Sequence, residues 1–168
     1  MRRPTPGELP AVLALMDDPA SVHRRVACLH RAFPEQATEL RARLVEDENL
    51  VLEAASGLVG YASWQRFGDH AHLNVMTVAG AHQRRGHGTV LYDAFRREAA
   101  TLGARSLSLR AYADSGWALA FYERQGLRMV TTVAELTAED AGLLRFLDAA
   151  ASAGAWPDDR KVLFYGKL

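Results

Sequence analysis

Between Ala71 and Tyr112 the chain has an order of elements that few folds satisfy. A β-like run, "AHLNVMTVA" (71–79), leads into a glycine-bearing loop. An amphipathic helix follows from about Gly88 to Leu102, with Val90, Leu91, Ala94, Phe95 and Ala99 on one face, and it stops at Gly103. "SLSLRAY" (Ser106–Tyr112) is a second β-like run. A helix between two strands makes a crossover connection, so the two strands are expected to lie parallel in one sheet.

The other segments fit around this unit. "MRRP" reads as a short strand, and Thr5-Pro6 with Glu8 reads as a helix start for "ELPAVLALM". Residues 20–46 have helical spacing of Val22, Val26, Leu29, Phe33, Leu40 and Leu44, with a break at Pro34. "NLVLEAA" (49–55) and "LVGYASWQRF" (58–67) read as strands, turned at Ser56-Gly57 and again at Gly68-Asp69. "SGWALAFYERQG" (115–126) is a short helix, and "LRMVTTVAEL" is a strand. Residues 137–154 are a helix with Thr137 and Asp140 as its capping pair, and "RKVLFYGKL" is a last strand. The sum is one α+β domain over 1–168, with a mixed central sheet of about seven strands flanked by helices.

Composition narrows the partners. Lys+Arg and Asp+Glu are 20 each, so net charge gives no argument for nucleic acid or an anionic membrane. No apolar run approaches the ~18 residues of a membrane span, and "MRRPTPGELP" lacks the apolar region of a leader, so a cytoplasmic protein is the expectation. Cys28 is the single cysteine, and His70 and His72 share a strand face without an evident third ligand; no metal is expected. Trp64, Phe67 and Trp117 are either core residues or the lining of a binding pocket, and core is the reading taken for each.

The loop "AGAHQRRGHGT" carries the chemistry. Successive peptide N–H groups at a helix start have no intrahelical acceptor, and the helix dipole adds partial positive charge there. A diphosphate suits such a place. Gly86 and Gly88 admit phosphate oxygens close to the backbone, and Arg84 and Arg85 add charge. A Walker A loop is excluded because no lysine follows the glycine, and a dinucleotide fingerprint because position 91 is leucine. Taken alone, the glycines also fit an ordinary tight turn with solvated arginines.

The neighbouring residues add a family resemblance. "LNVMTVAGAHQRRGHGT" resembles the central motif of the GNAT superfamily of acyl-CoA-dependent N-acyltransferases, a strand followed by Gln/Arg-x-x-Gly-x-Gly/Ala; Gln83, Gly86 and Gly88 match. "SGWALAFYERQGL" resembles the family's second motif through Ala118, Phe121, Tyr122 and Gly126, with Ser115 where asparagine is usual and Leu127 where phenylalanine is usual. Gly80 stands where proline is frequent, and the helix at 137–154 looks like an insertion.

The resemblance implies a GNAT-like fold with strands 71–79 and 106–112 splayed apart around acetyl-CoA or another short acyl-CoA. It implies pantetheine pairing with the backbone of Met76, Thr77 and Val78, and a pyrophosphate on the amides of Arg84, Arg85, Gly86, His87, Gly88 and Thr89, with Gln83 a further cofactor-binding residue. Ser115, Ala118 and Tyr122 would complete the cofactor contacts. Tyr122 is the implied general acid for the CoA sulfur. Likeness to the arylalkylamine N-acetyltransferase branch suggests His72 as the base, with Asn74 on the same strand face and Glu53 a weaker alternative. The implied function is N-acetyl transfer to a primary amine, small-molecule or peptide, by direct attack in a ternary complex, and a homodimer is compatible with it. The alternative is a non-catalytic acyl-CoA-binding sensor or regulatory module.

Overall fold

The structure is a computed structural model that describes residues 1–18, 46–137, 140–152 and 161–168. The proposed helix over 20–46, Pro34 and Cys28 lie outside the described residues, apart from the end of that span at Glu46.

After a 3₁₀ turn at Pro6–Glu8, helix α1 runs Leu9–Asp17. The Glu8 carboxylate accepts the Thr5 N–H at 2.7 Å and its hydroxyl at 2.9 Å, so the sequence signal for a helix start is realised as a capping interaction. Strands β1 (Glu48–Ala54), β2 (Gly57–Phe67) and β3 (His70–Val78) follow as a meander. Then come α2 (His87–Thr101), β4 (Ser106–Tyr112), α3 (Gly116–Arg124), β5 (Arg128–Val130), α4 (Ala141–Ser152) and β6 (Lys161–Lys167).

The described strands make one six-stranded sheet in the order β1-β2-β3-β4-β6-β5. β3 and β4 are its parallel pair, with His70↔Ser106 through Leu73↔Leu109 in register, as the crossover requires. The expected count of about seven strands is corrected to six. The N-terminal strand shrinks to one bridge, Arg2↔Val51. The expected strand at 127–136 is cut to three residues, because Glu135 accepts the N–H of Thr132 at 2.9 Å and curls Val133–Glu135 into a 3₁₀ turn.

The fold divides into two compact units, Met1–Trp64 with Asn74–Arg97, and Gln65–Leu73 with Glu98–Leu168. In the first, Val12 and Leu15 of α1 pack on Val51 and Tyr61, with Val75 against them. α2 lies close on β2, where Gly60 leaves room for Leu91, and Phe95 meets Trp64 edge-on at 5.3 Å. In the second, Leu143, Phe146, Leu147 and Ala150 of α4 cover Val130, Leu163 and Tyr165. Gly142 lets α4 approach β3 so closely that a Cβ there would stand 2.5 Å from the His70 Cβ. Thus the segment after β5 forms a core helix. Its start is fixed as the sequence suggests, the Asp140 carboxylate accepting the Thr137 N–H at 2.8 Å.

Candidate active site

In the first unit the end of β3 is held at several points. The Ala79 N–H donates to Val59 O at 2.9 Å, and the Gly80 N–H donates to the Asp18 carboxylate at 2.6 Å. A 3₁₀ turn at Gly80–His82 brings Gln83 round, and its side-chain amide donates to Val78 O at 3.0 Å. Gln83 thereby closes the loop upon the strand. Beyond it, Arg84 has φ 60° and Gly86 φ 85°, both left-handed, with Arg85 between them not so. Alternation of this kind turns successive peptide N–H groups toward one concavity, an anion-binding nest. Among the described residues no hydrogen bond engages the N–H groups of Arg84, Arg85, Gly86, His87, Gly88 or Thr89. The side chains of Arg84, Arg85 and Thr89 are exposed, while His87 and Gly88 are half-buried. The His87 ring lies 5.8 Å from that of His82, whose Nε2 bonds the Ser56 hydroxyl.

On β3 itself, Met76 and Val78 are half-buried and Thr77 is buried. The Thr77 Oγ1 has no hydrogen-bond partner among the described residues. Asn74 is half-buried and donates from Nδ2 to the Asp47 carboxylate at 2.8 Å. Glu53 is exposed and paired with Arg2 at 2.7 Å, so its charge is already committed elsewhere.

In the second unit the two histidines of β3 are buried, His72 at 2% exposure. The parallel register sets His70 beside Ser106 and His72 beside Ser108. His70 Nδ1 bonds Ser106 Oγ at 2.9 Å and its Nε2 bonds Ser108 Oγ at 2.8 Å. His72 Nδ1 bonds the same Ser108 Oγ at 2.8 Å, and its ring stacks on Phe146 at 3.7 Å. Burial pushes the His70 imidazole down to about 4, so it is neutral at ordinary pH.

Tyr122 is half-buried on α3, its ring 5.8 Å from Phe164 and 5.1 Å from Phe121. Its carbonyl accepts the N–H of Gln125 and of Leu127, so the helix end beneath it is fixed. Ser115 begins that helix: its carbonyl accepts the Ala118 N–H at 2.8 Å. Its buried hydroxyl has no hydrogen-bond partner among the described residues. A buried hydroxyl left so is costly unless a ligand completes it. Ala118 is buried on the same helix.

A sequence model of the Acetyltransferase (GNAT) family matches residues 14–127. The chain belongs to that family. As a GNAT member it is an acyl-CoA-dependent acetyltransferase. Solved structures with the same fold include the ribosomal-protein-S18-alanine N-acetyltransferase of Escherichia coli, at 19% identity and TM-score 0.67, covering 99% of this chain and 90% of that one. The ribosomal-protein-alanine N-acetyltransferase of Brucella melitensis gives 20% and 0.67, over 99% and 98%. The PaiA N-acetyltransferase of Thermoplasma acidophilum, solved in complex with coenzyme A, gives 13% and 0.69, over 99% and 97%. At these identities the likeness is one of fold.

Several groups of this GNAT chain have no role assigned by sequence alone. His70, Ser106 and Ser108 carried a signal: H-x-H in one strand and S-x-S in its parallel neighbour share the two-residue period, so register aligns them. Asp47 carried none, because only folding brings it to Asn74. Trp117, expected in the core, is instead 53% exposed at the start of α3, whereas Trp64 is buried and Phe67 packs edge-on against Phe146. No described helix is long and apolar enough to cross a membrane.

Proposed function

We propose that this chain moves an acetyl group from acetyl-CoA to a primary amine by direct attack in a ternary complex. The observation that carries the reading is the nest after β3, where the φ values of Arg84 and Gly86 turn unengaged N–H groups together. Those groups, with the helix dipole behind them and the Arg84 and Arg85 charges beside them, suit a diphosphate. Gln83 holds the loop shut, while His87, Gly88 and Thr89 supply the first turn of α2. Met76, Thr77 and Val78 offer peptide groups to the pantetheine amides as one strand does to another. In the first unit the buried Thr77 hydroxyl, and in the second the buried Ser115 hydroxyl, each suits a ligand group that supplies its missing partner, and Ala118 is a small residue on the helix that Ser115 begins.

In this reading the amine nitrogen attacks the thioester carbonyl, a C–N bond forms and the C–S bond breaks. Tyr122 donates its phenolic proton to the leaving thiolate. His72 receives the amine's proton. Because His72 is buried, it works through hydrogen bonds rather than by open contact with solvent. Its ring stays stacked on Phe146 while the proton moves at nitrogen.

The test is calorimetry with CoA together with thiol release from acetyl-CoA over an amine panel. CoA is expected to bind and at least one amine to release thiol. Tyr122→Phe is expected to lower kcat by more than about tenfold at saturating substrate, and His72→Ala to remove the acidic limb of the pH–rate profile. CoA binding without thiol release for any amine would favour a non-catalytic sensor. No CoA binding would end both readings.

A further inference from the structure

We infer that Gly166 of β6 is a positioning residue for Tyr122, acting through Leu127 and the turn that ends α3. This rests on the acetyl-transfer reading above, in which Tyr122 gives its proton to the leaving thiolate. β6 has two different faces, as the two-residue period of a strand requires. Leu163 and Tyr165 pack with α4. Phe164 and Gly166 turn instead to α3 and its end. The Phe164 ring lies 5.8 Å from that of Tyr122. A Cβ at Gly166 would stand 2.5 Å from Leu127 Cδ2, and 3.9 Å from both the Gly126 oxygen and Leu127 Cα. One strand face therefore meets the Tyr122 ring and, two residues on, the turn behind it.

That turn is tied to Tyr122 through the backbone. Gly126 is left-handed at φ 82°. Its N–H donates to Glu123 O at 2.9 Å, while the Leu127 N–H reaches back to Tyr122 O at 3.2 Å. This nested pair of bonds is the closure by which a helix ends on glycine. The Gln125 N–H donates to the same Tyr122 oxygen at 3.1 Å. Leu127 is buried, so the seat of its side chain fixes the turn, and the turn fixes the Tyr122 carbonyl. Gly166, having no side chain, leaves Leu127 that seat.

A phenol passes its proton only within hydrogen-bond reach, so the acid tolerates little displacement. A misplacement of about 1 Å, caused from outside the site, can lower a rate about a hundredfold. A methyl at position 166 drives Leu127 from its seat. The side chain rotates away at small cost in stability, but the turn it held then shifts, and Tyr122 with it. Gly166 thus governs rate more than folding. Moving one carbon from Leu127 to position 166 keeps the volume of the pair and restores the fit.

The experiment measures thiol release from acetyl-CoA with the panel amine that wild type turns over fastest. Gly166→Ala is expected to lower kcat by about fivefold or more, with KM for acetyl-CoA within about twofold and the urea midpoint little changed. Adding Leu127→Val to Gly166→Ala should recover most of the lost kcat. In a Tyr122→Phe background, Gly166→Ala should cost nothing further, because the group it places has gone. The inference is overturned by an undiminished kcat in Gly166→Ala, by a double variant no faster than Gly166→Ala, or by an equal loss with and without the Tyr122 hydroxyl. Failure of the underlying reading looks different: wild type releases no thiol, or Tyr122→Phe keeps its kcat, and the inference then falls with it.

Discussion

Ser108 has a single hydroxyl proton and two imidazole nitrogens to satisfy. It donates to one ring and must accept from the other. When His70 carries its proton at Nε2, His72 accepts at Nδ1; when Ser108 donates to His70, His72 must carry a proton at Nδ1. The two tautomers are therefore coupled through one oxygen. His70 also makes stability depend on pH. Its folded value is about 4 against about 6.5 unfolded. Between those values the unfolded chain binds a proton that the folded chain refuses, so stability falls as pH drops from about 6.5 to about 4. The loss amounts to about 3 kcal/mol by linkage. Urea melts near neutrality and at about pH 4.5 are expected to differ by most of that amount, and His70→Gln to remove much of the difference. An unchanged difference in the variant would assign the pH dependence to other groups.

At the scale of elements, the closeness of α4 to β3 decides what the second unit tolerates. A methyl at Gly142 would stand 2.5 Å from the His70 Cβ and 3.3 Å from its backbone nitrogen, neither of which can step aside without the strand. A methyl at Gly166 would also meet an atom at 2.5 Å, but that atom is the far end of Leu127, which can rotate. Gly142→Ala gains about 1 kcal/mol of helix propensity yet should lose about 2 kcal/mol net through overpacking, whereas Gly166→Ala should stay within about 1 kcal/mol. Equal shifts in the denaturation midpoints of the two variants would show that α4 does not depend on the small residue. Elements with strong local signals stood where their spacing put them, notably α2 with its stop near Gly103 and the helix begun by Thr137 and Asp140. Elements with weak ones shortened: β5 ends at Val130 because a carboxylate four or five residues on offers the backbone a turn instead.

At the scale of the whole molecule, the acetyl donor links to folding. A ligand that binds only the folded chain stabilises it by about 3 kcal/mol at a hundred times its Kd. CoA at saturation is accordingly expected to raise Tm. Gly86→Ala should blunt that rise, because its φ of 85° is strained for alanine and a methyl enters open space at the nest. An equal rise in the variant would place the phosphates elsewhere. Much of this was legible beforehand. Gly86 and Gly88 after a β-run, with Ala118, Tyr122 and Gly126 at the right remove, are local patterns, and local patterns survive in a linear string. So the sequence by itself determined the GNAT family and the parallel crossover, and it pointed to the loop proposed for the diphosphate, since backbone conformation there depends on near neighbours. Only the tertiary structure decided that His70 and His72 share Ser108, that Trp117 faces outward, and that Asp47 meets Asn74. Those contacts join residues far apart in the chain, and their chemistry exists only once strand register and helix packing have taken water away from them.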